Sequence, residues 1–214
     1  MEASTTARDV WTRWVVWTTA AEVVGFAAPA VVGVATASRE GAAQLVPLVA
    51  AGMVEGAALG AGQAHVLRGV LPGLRVRAFV VATSVAAGLA YAVAMLPAAW
   101  PDAVAGLPGP LLVLLAATGG VVLLASIGTG QWLVLREALP RSASWVLTTA
   151  LAWLAGLGVF LGVATPWWHE GQSFVAAVLV GLVAATLMAV TAAVVTGAAL
   201  LRLLARDREP AQVR

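Results

Sequence analysis

"IGTGQWLVLREALP" (127–140) has a counterpart 68 residues upstream, "LGAGQAHVLRGVLP" (59–72). Each stretch closes a long apolar run with two glycines, a glutamine, an arginine and a proline. Laid over 123–140 without a gap, residues 55–72 share nine of eighteen identities: Ala57, Gly60, Gly62, Gln63, Val66, Leu67, Arg68, Leu71 and Pro72. The register continues into the next run, where Gly88-Leu89 falls on Gly156-Leu157. A degenerate third copy ends the chain's last apolar run, where "TGAALLRLL" (196–204) echoes "TGQWLVLRE". The beginnings also correspond: "VWTTAAE" (16–22) resembles "VLTTALA" (146–152). The repeating unit is therefore a hairpin of two helices, present three times. An even number of spans per unit keeps every copy in one orientation, so the repeats are parallel and related by an axis along the membrane normal.

The solvent follows from composition. The 214 residues are 61% hydrophobic and only 10% charged, with mean hydropathy +0.95. Soluble domains carry about 25% charged residues. A spanning helix needs ~20 mostly apolar residues, and six runs qualify: 14–37, 43–67, 78–98, 111–135, 143–165 and 174–202. The expected fold is all-α: a polytopic membrane protein whose six transmembrane helices form three tandem hairpins (about 14–67, 78–135 and 143–202). Residues 1–214 make one integral membrane domain, with 203–214 as a cytoplasmic tail in which "ARDREPAQVR" (205–214) is expected to fray. The first run is longer than a signal-peptide core and contains Glu22, so it reads as a retained helix.

All twelve basic residues are arginine. On the six-span scheme Arg39 alone lies on one side; the other eleven share the opposite side. The positive-inside rule then places both termini in the cytoplasm. This asymmetry explains a pI near 10.4 without nucleic acid. Arginine-only, Ala- and Val-rich usage suggests a GC-rich bacterial genome, hence a bacterial inner membrane. Arg68, Arg75 and Arg77 are placed to meet anionic lipid headgroups. Trp11, Trp14, Trp17, Trp100, Trp145, Trp167 and Trp168 fall at span ends, where an interfacial belt is expected. The chain has no cysteine, which removes disulfides and thiol chemistry.

Each repeated position has a packing rationale. Gly60, Gly62, Gly128 and Gly130 let another backbone approach, and Gln63 and Gln131 can hydrogen-bond across a helix pair. Arg68 and Arg136 anchor helix ends in the headgroup layer. Pro72 and Pro140 stop the helices. Gly128, Gln131, Trp132, Leu135 and Arg136 in "GTGQWLVLR" resemble a Gly-x-x-Gln-Trp-x-x-Leu-Arg signature of bacterial multi-pass membrane proteins. Ala64 replaces the tryptophan in the first copy. The resemblance implies a small multi-span membrane protein and carries no activity with it.

Ionisable groups inside a bilayer are functional candidates. Glu22 lies eight residues from Trp14, hence ~12 Å deep, and Glu55 twelve residues from Leu67, hence ~18 Å deep. Two close carboxyls in low dielectric cannot both ionise cheaply, which describes a proton, cation or substrate site. Gly52, Gly56 and Gly60 form a small-residue stripe beside Glu55. Pro29 should kink the first helix near Glu22. His65 and His169 lie on opposite sides of the membrane and cannot share a metal or haem; His169-Glu170 could hold an ion only weakly. Serine-hydrolase, zincin and phosphate-loop motifs are missing from the sequence. Neither an enzyme, a catalytic residue, a cofactor nor a metal is expected. Two functions stay open: a permease or proton/cation-coupled transporter using Glu55 and Glu22, or a non-catalytic subunit or lipid-binding scaffold joining a membrane partner or a second copy.

Overall fold

A computed structural model describes residues 6–169 and 171–208. Glu170 and the end of the expected tail, 209–214, lie outside the described residues. The elements are α1 (Ala7–Gly25), α2 (Ala27–Thr36), α3 (Ala42–Leu67), α4 (Val76–Ala99), the short α5 (Pro101–Ala105), α6 (Gly109–Ala138), α7 (Ser144–Trp167) and α8 (Phe174–Arg208). α1 and α2 together make the first span, so six helical spans are long and apolar enough to cross a membrane. The chain is an all-α, multi-pass membrane protein. Its outward side chains are overwhelmingly apolar: Val24, Val31, Val113, Leu147, Leu161 and Val175 are all exposed, as lipid requires. α8 remains helical through Arg208, so 203–208 of the expected tail belong to the helix.

Local chemistry sets the boundaries. Thr6 caps α1, its hydroxyl accepting from the Asp9 amide at 3.1 Å while the Asp9 carboxylate accepts from the Thr6 amide, a reciprocal capping box. The first span breaks at Phe26. Pro29 has no N–H for the Gly25 carbonyl, and its ring crowds that same carbonyl. The break is therefore three residues before the proline and four after Glu22.

Each span packs on the next in sequence, and α8 returns to α1. The six spans thus close a ring in chain order. Arg8, Arg13, Arg68, Arg75, Arg77, Arg136, Arg141, Arg202 and Arg206 sit at one end of it, and Arg39 sits at the other.

Several buried positions inside the ring form sets of three. At the arginine-rich end Leu71, Leu139 and Leu204 are buried, then Leu67, Leu135 and Leu200, packed with Trp14, Phe79 and Trp145 in one apolar core. One turn further in, Thr18, Thr83 and Thr149 come from α1, α4 and α7, and Gln63, Gln131 and Thr196 come from α3, α6 and α8. Here Trp14 and Trp145 depart from the expected belt. They are 0% and 1% exposed and meet edge to face, with ring centroids 5.8 Å apart. Their N–H groups find partners inside: Trp14 donates to Thr196 at 3.1 Å and Trp145 to Gln131 at 2.9 Å. A tryptophan near a span end cannot be told from a belt residue until its helix face is known. Trp17, Trp100, Trp167 and Trp168 do face outward.

Candidate functional site

The repeated motif assembles a polar girdle across the ring. Gln131 Nε2 donates to Gln63 Oε1 at 2.6 Å and lies 3.3 Å from Thr83 Oγ1, while its own carbonyl accepts from Trp145. The two copies of the motif therefore meet side chain to side chain. The glycines make this possible. A Cβ on Gly62 would lie 2.8 Å from the Trp17 carbonyl, and one on Gly130 would lie 2.9 Å from the Ala82 carbonyl. Gly60 and Gly128 are equally close to Thr83 and Thr149. Arg68 and Arg136 stay outside the girdle: Arg68 reaches His65 Nδ1 at 3.2 Å, and the Arg136 guanidinium lies 5.2 Å from the Trp132 ring centre. The girdle encloses a void of only about 10 Å³, room for a single water at most. Below it the leucine and tryptophan layers fill the interior, so the arginine-rich end is sealed.

Above the girdle the ring opens into a cavity of about 290 Å³, lined by all six spans. Glu22 and Glu55 share its wall and are near neighbours. α1 and α3 approach closely at this height: a Cβ on Gly25 would sit 3.1 Å from the Glu55 backbone. That approach places Glu22, three residues before Gly25, beside Glu55. The Tyr91 hydroxyl of α4 donates to Glu55 Oε2 at 2.6 Å. The Tyr91 ring lies directly over Gly52, where any side chain would displace it. Glu22 is 3% exposed, and among the described residues no donor reaches either of its oxygens. Its neighbour is another acid, and two carboxyls can hydrogen-bond only through a proton held between them. The rest of the wall is carbon and includes Phe26, Met95, Trp153, Leu157, Phe160 and Met188.

Both acids singled out from the sequence are thus brought to one cavity. Tyr91 was missed as a site residue. It is the only tyrosine in the chain and stands mid-span in an alanine-rich run, which is the signal that could have found it. His65 packs against Trp17 with centroids 4.4 Å apart and the rings tilted by 40°, at the arginine-rich end and away from the cavity. Among the described residues no cluster of three His, Asp or Glu is placed to hold a metal.

A carboxyl that is 3% exposed and has no hydrogen-bond donor among the described residues costs stability. Glu22→Met should therefore raise the thermal midpoint in detergent by several degrees, corresponding to about 1–3 kcal/mol. A lowered midpoint would mean that the Glu22 carboxyl holds the ring together.

No family model matches this chain, and neither a curated protein nor a solved structure matches it.

Proposed function

We propose that the protein is a small carrier of a bacterial inner membrane, with both termini cytoplasmic, which couples movement of its substrate to a proton or cation exchanged at Glu22 and Glu55. The observation that carries this reading is the convergence of two carboxyls and a tyrosine on a cavity inside a ring of six spanning helices. Buried ionisable groups are costly in a membrane and mark ion or substrate pathways. The arginine asymmetry supports the orientation, and the cavity then lies toward the outer face, sealed from the cytoplasm by the girdle. The threes of buried positions support a build of three like hairpins around a central axis, and parallel repeats about an axis along the membrane normal occur in carriers whose sites lie near the midplane.

The glycine stripe bears on the scaffold alternative. Gly52, Gly56 and Gly60 all face α4 of the same chain, so this close-packing surface is covered within the monomer rather than offered to a partner.

The test needs no substrate. Proteoliposomes adsorbed on a capacitive electrode and given a sudden pH change should show a transient charge displacement as the pair exchanges protons. Glu22→Gln/Glu55→Gln should abolish it. Equal transients from both proteins would count against the carrier reading and leave a scaffold or subunit.

A further inference from the structure

The chemistry of the cavity narrows the class of substrate. Glu22 and Glu55 supply the negative charge, and among the described residues no arginine or histidine lines the wall. An anion therefore has no partner there. A bare divalent cation fares little better. Hard divalent cations take six or more oxygen ligands, whereas this wall offers two carboxyls and one hydroxyl against carbon. A sugar or other polyhydroxylated solute would leave most of its polar groups unpaired against that carbon, at a cost for each. A neutral hydrocarbon would fit the wall but leave the unpartnered Glu22 oxygens facing it.

What remains is a body that is apolar over most of its surface and positive at one end. The wall is built for both parts. Trp153, Phe160 and Phe26 bring three aromatic side chains to a cavity that also holds two acids. Aromatic faces attract cations, tryptophan most strongly. Met95 and Met188 add flexible, polarizable surface that adapts to shape. The size agrees. A dry protein cavity of about 150 Å³ holds one benzene ring, and about 290 Å³ is available here.

We propose that the cavity binds a hydrophobic organic monocation, an amine or quaternary ammonium carrying about one aromatic ring, with the charged nitrogen at Glu22 and Glu55 and the apolar body against Trp153, Phe160 and Met188. This rests on the carrier reading in taking the acid pair as the exchange site. Binding of the cation releases one proton from the pair: a carboxyl O–H bond breaks, water or buffer takes up the proton, and no other covalent bond changes.

The probe is tritiated benzyltrimethylammonium, a permanent cation with no N–H to donate, added to the purified full-length protein and read by scintillation proximity. Saturable binding is expected, with proton release in weakly buffered medium. Neopentylbenzene, its neutral isostere, should compete at least tenfold more weakly, phenylacetate should not compete, and sodium at 100 mM should not displace the probe. Glu22→Gln should weaken binding at least tenfold and Trp153→Leu severalfold. The competition series uses the unaltered protein, so it decides the matter even if a variant fails to fold. Equal competition by neopentylbenzene would overturn the proposal, since the cavity would then select apolar shape and not charge. Displacement by sodium would overturn it in favour of an inorganic ion. If the probe does not bind while the pH-driven transient persists, the substrate class is wrong and the carrier reading stands. If the probe binds selectively but the transient is missing, the cation site stands and the carrier reading falls.

Discussion

Gly56→Leu should prevent the ring from assembling, leaving protein that elutes as aggregate after extraction. Even a Cβ at Gly56 would lie 2.5 Å from the Ala87 Cβ, 2.8 Å from the Thr83 carbonyl oxygen and 3.0 Å from the Ser84 Cα. Two of these three atoms are backbone, so they cannot rotate away. Overpacking a well-filled interior costs about 1–3 kcal/mol for a few added atoms; here a whole side chain must force α3 from α4. That contact also carries the Ser84 hydroxyl bond to the Met53 carbonyl at 2.7 Å and the Tyr91 ring over Gly52. Gly56→Ala should give a graded loss, and Ala87→Gly added to it should restore part of the thermal midpoint. Gly158 and Gly181 provide the control, because nothing lies within 4 Å of a Cβ at either. Alanine there should be neutral or mildly stabilising, by up to about 1 kcal/mol of helix propensity. A Gly56→Leu protein that stays monodisperse with the parental midpoint would refute this account of the α3–α4 contact.

Gln131→Leu should be the most damaging polar substitution. It removes the bond to Gln63, the contact to Thr83 and the acceptor of the Trp145 N–H together. Counted as orphaned buried groups in water-soluble proteins, these losses would reach about 1–3 kcal/mol each. In a bilayer the smaller scale applies, because the unfolded helices also find partners, and interhelical bonds average about 0.6 kcal/mol with a maximum near 1.7. The expected loss is therefore about 2–3 kcal/mol. Gln63→Leu/Gln131→Leu should cost less than the sum of the two single changes, since each single change strands the other amide. Strict additivity in unfolding measured in mixed detergent would mean that the two glutamines do not interact.

Much of this was legible in the sequence because membrane constraints act locally. Six apolar runs, the arginine asymmetry and the stop beside Pro140 each depend on a residue and its near neighbours; α3 instead ends at Leu67, five residues before the expected stop at Pro72. Glu22 and Glu55 stood out for the same reason: an acid within twenty apolar residues needs no partner to be conspicuous. Helix face was harder. Matching "VWTTAAE" to "VLTTALA" pairs Thr18 with Thr148, yet Thr149 is the buried one and Thr148 is part-exposed. Likewise "TGAALLRLL" sets Ala198 against Gln131, whereas Thr196 is the α8 residue that lines the girdle with Gln63 and Gln131. Slips of one or two residues rotate a helix by 100° or more, and weak repeats in alanine-rich sequence do not carry enough information to prevent them.

The sequence by itself determined the solvent, the number of spans, the end of the molecule that carries the arginines and the two acids worth attention, because hydropathy, charge and proline act over a turn or two of chain. Tertiary structure alone decided that α8 closes on α1, that the two glutamines bond to each other, that Trp14 and Trp145 turn inward and that Tyr91 reaches Glu55. Those outcomes depend on which faces meet across the ring, where backbones close to within van der Waals contact at glycine, and no local pattern specifies the partner.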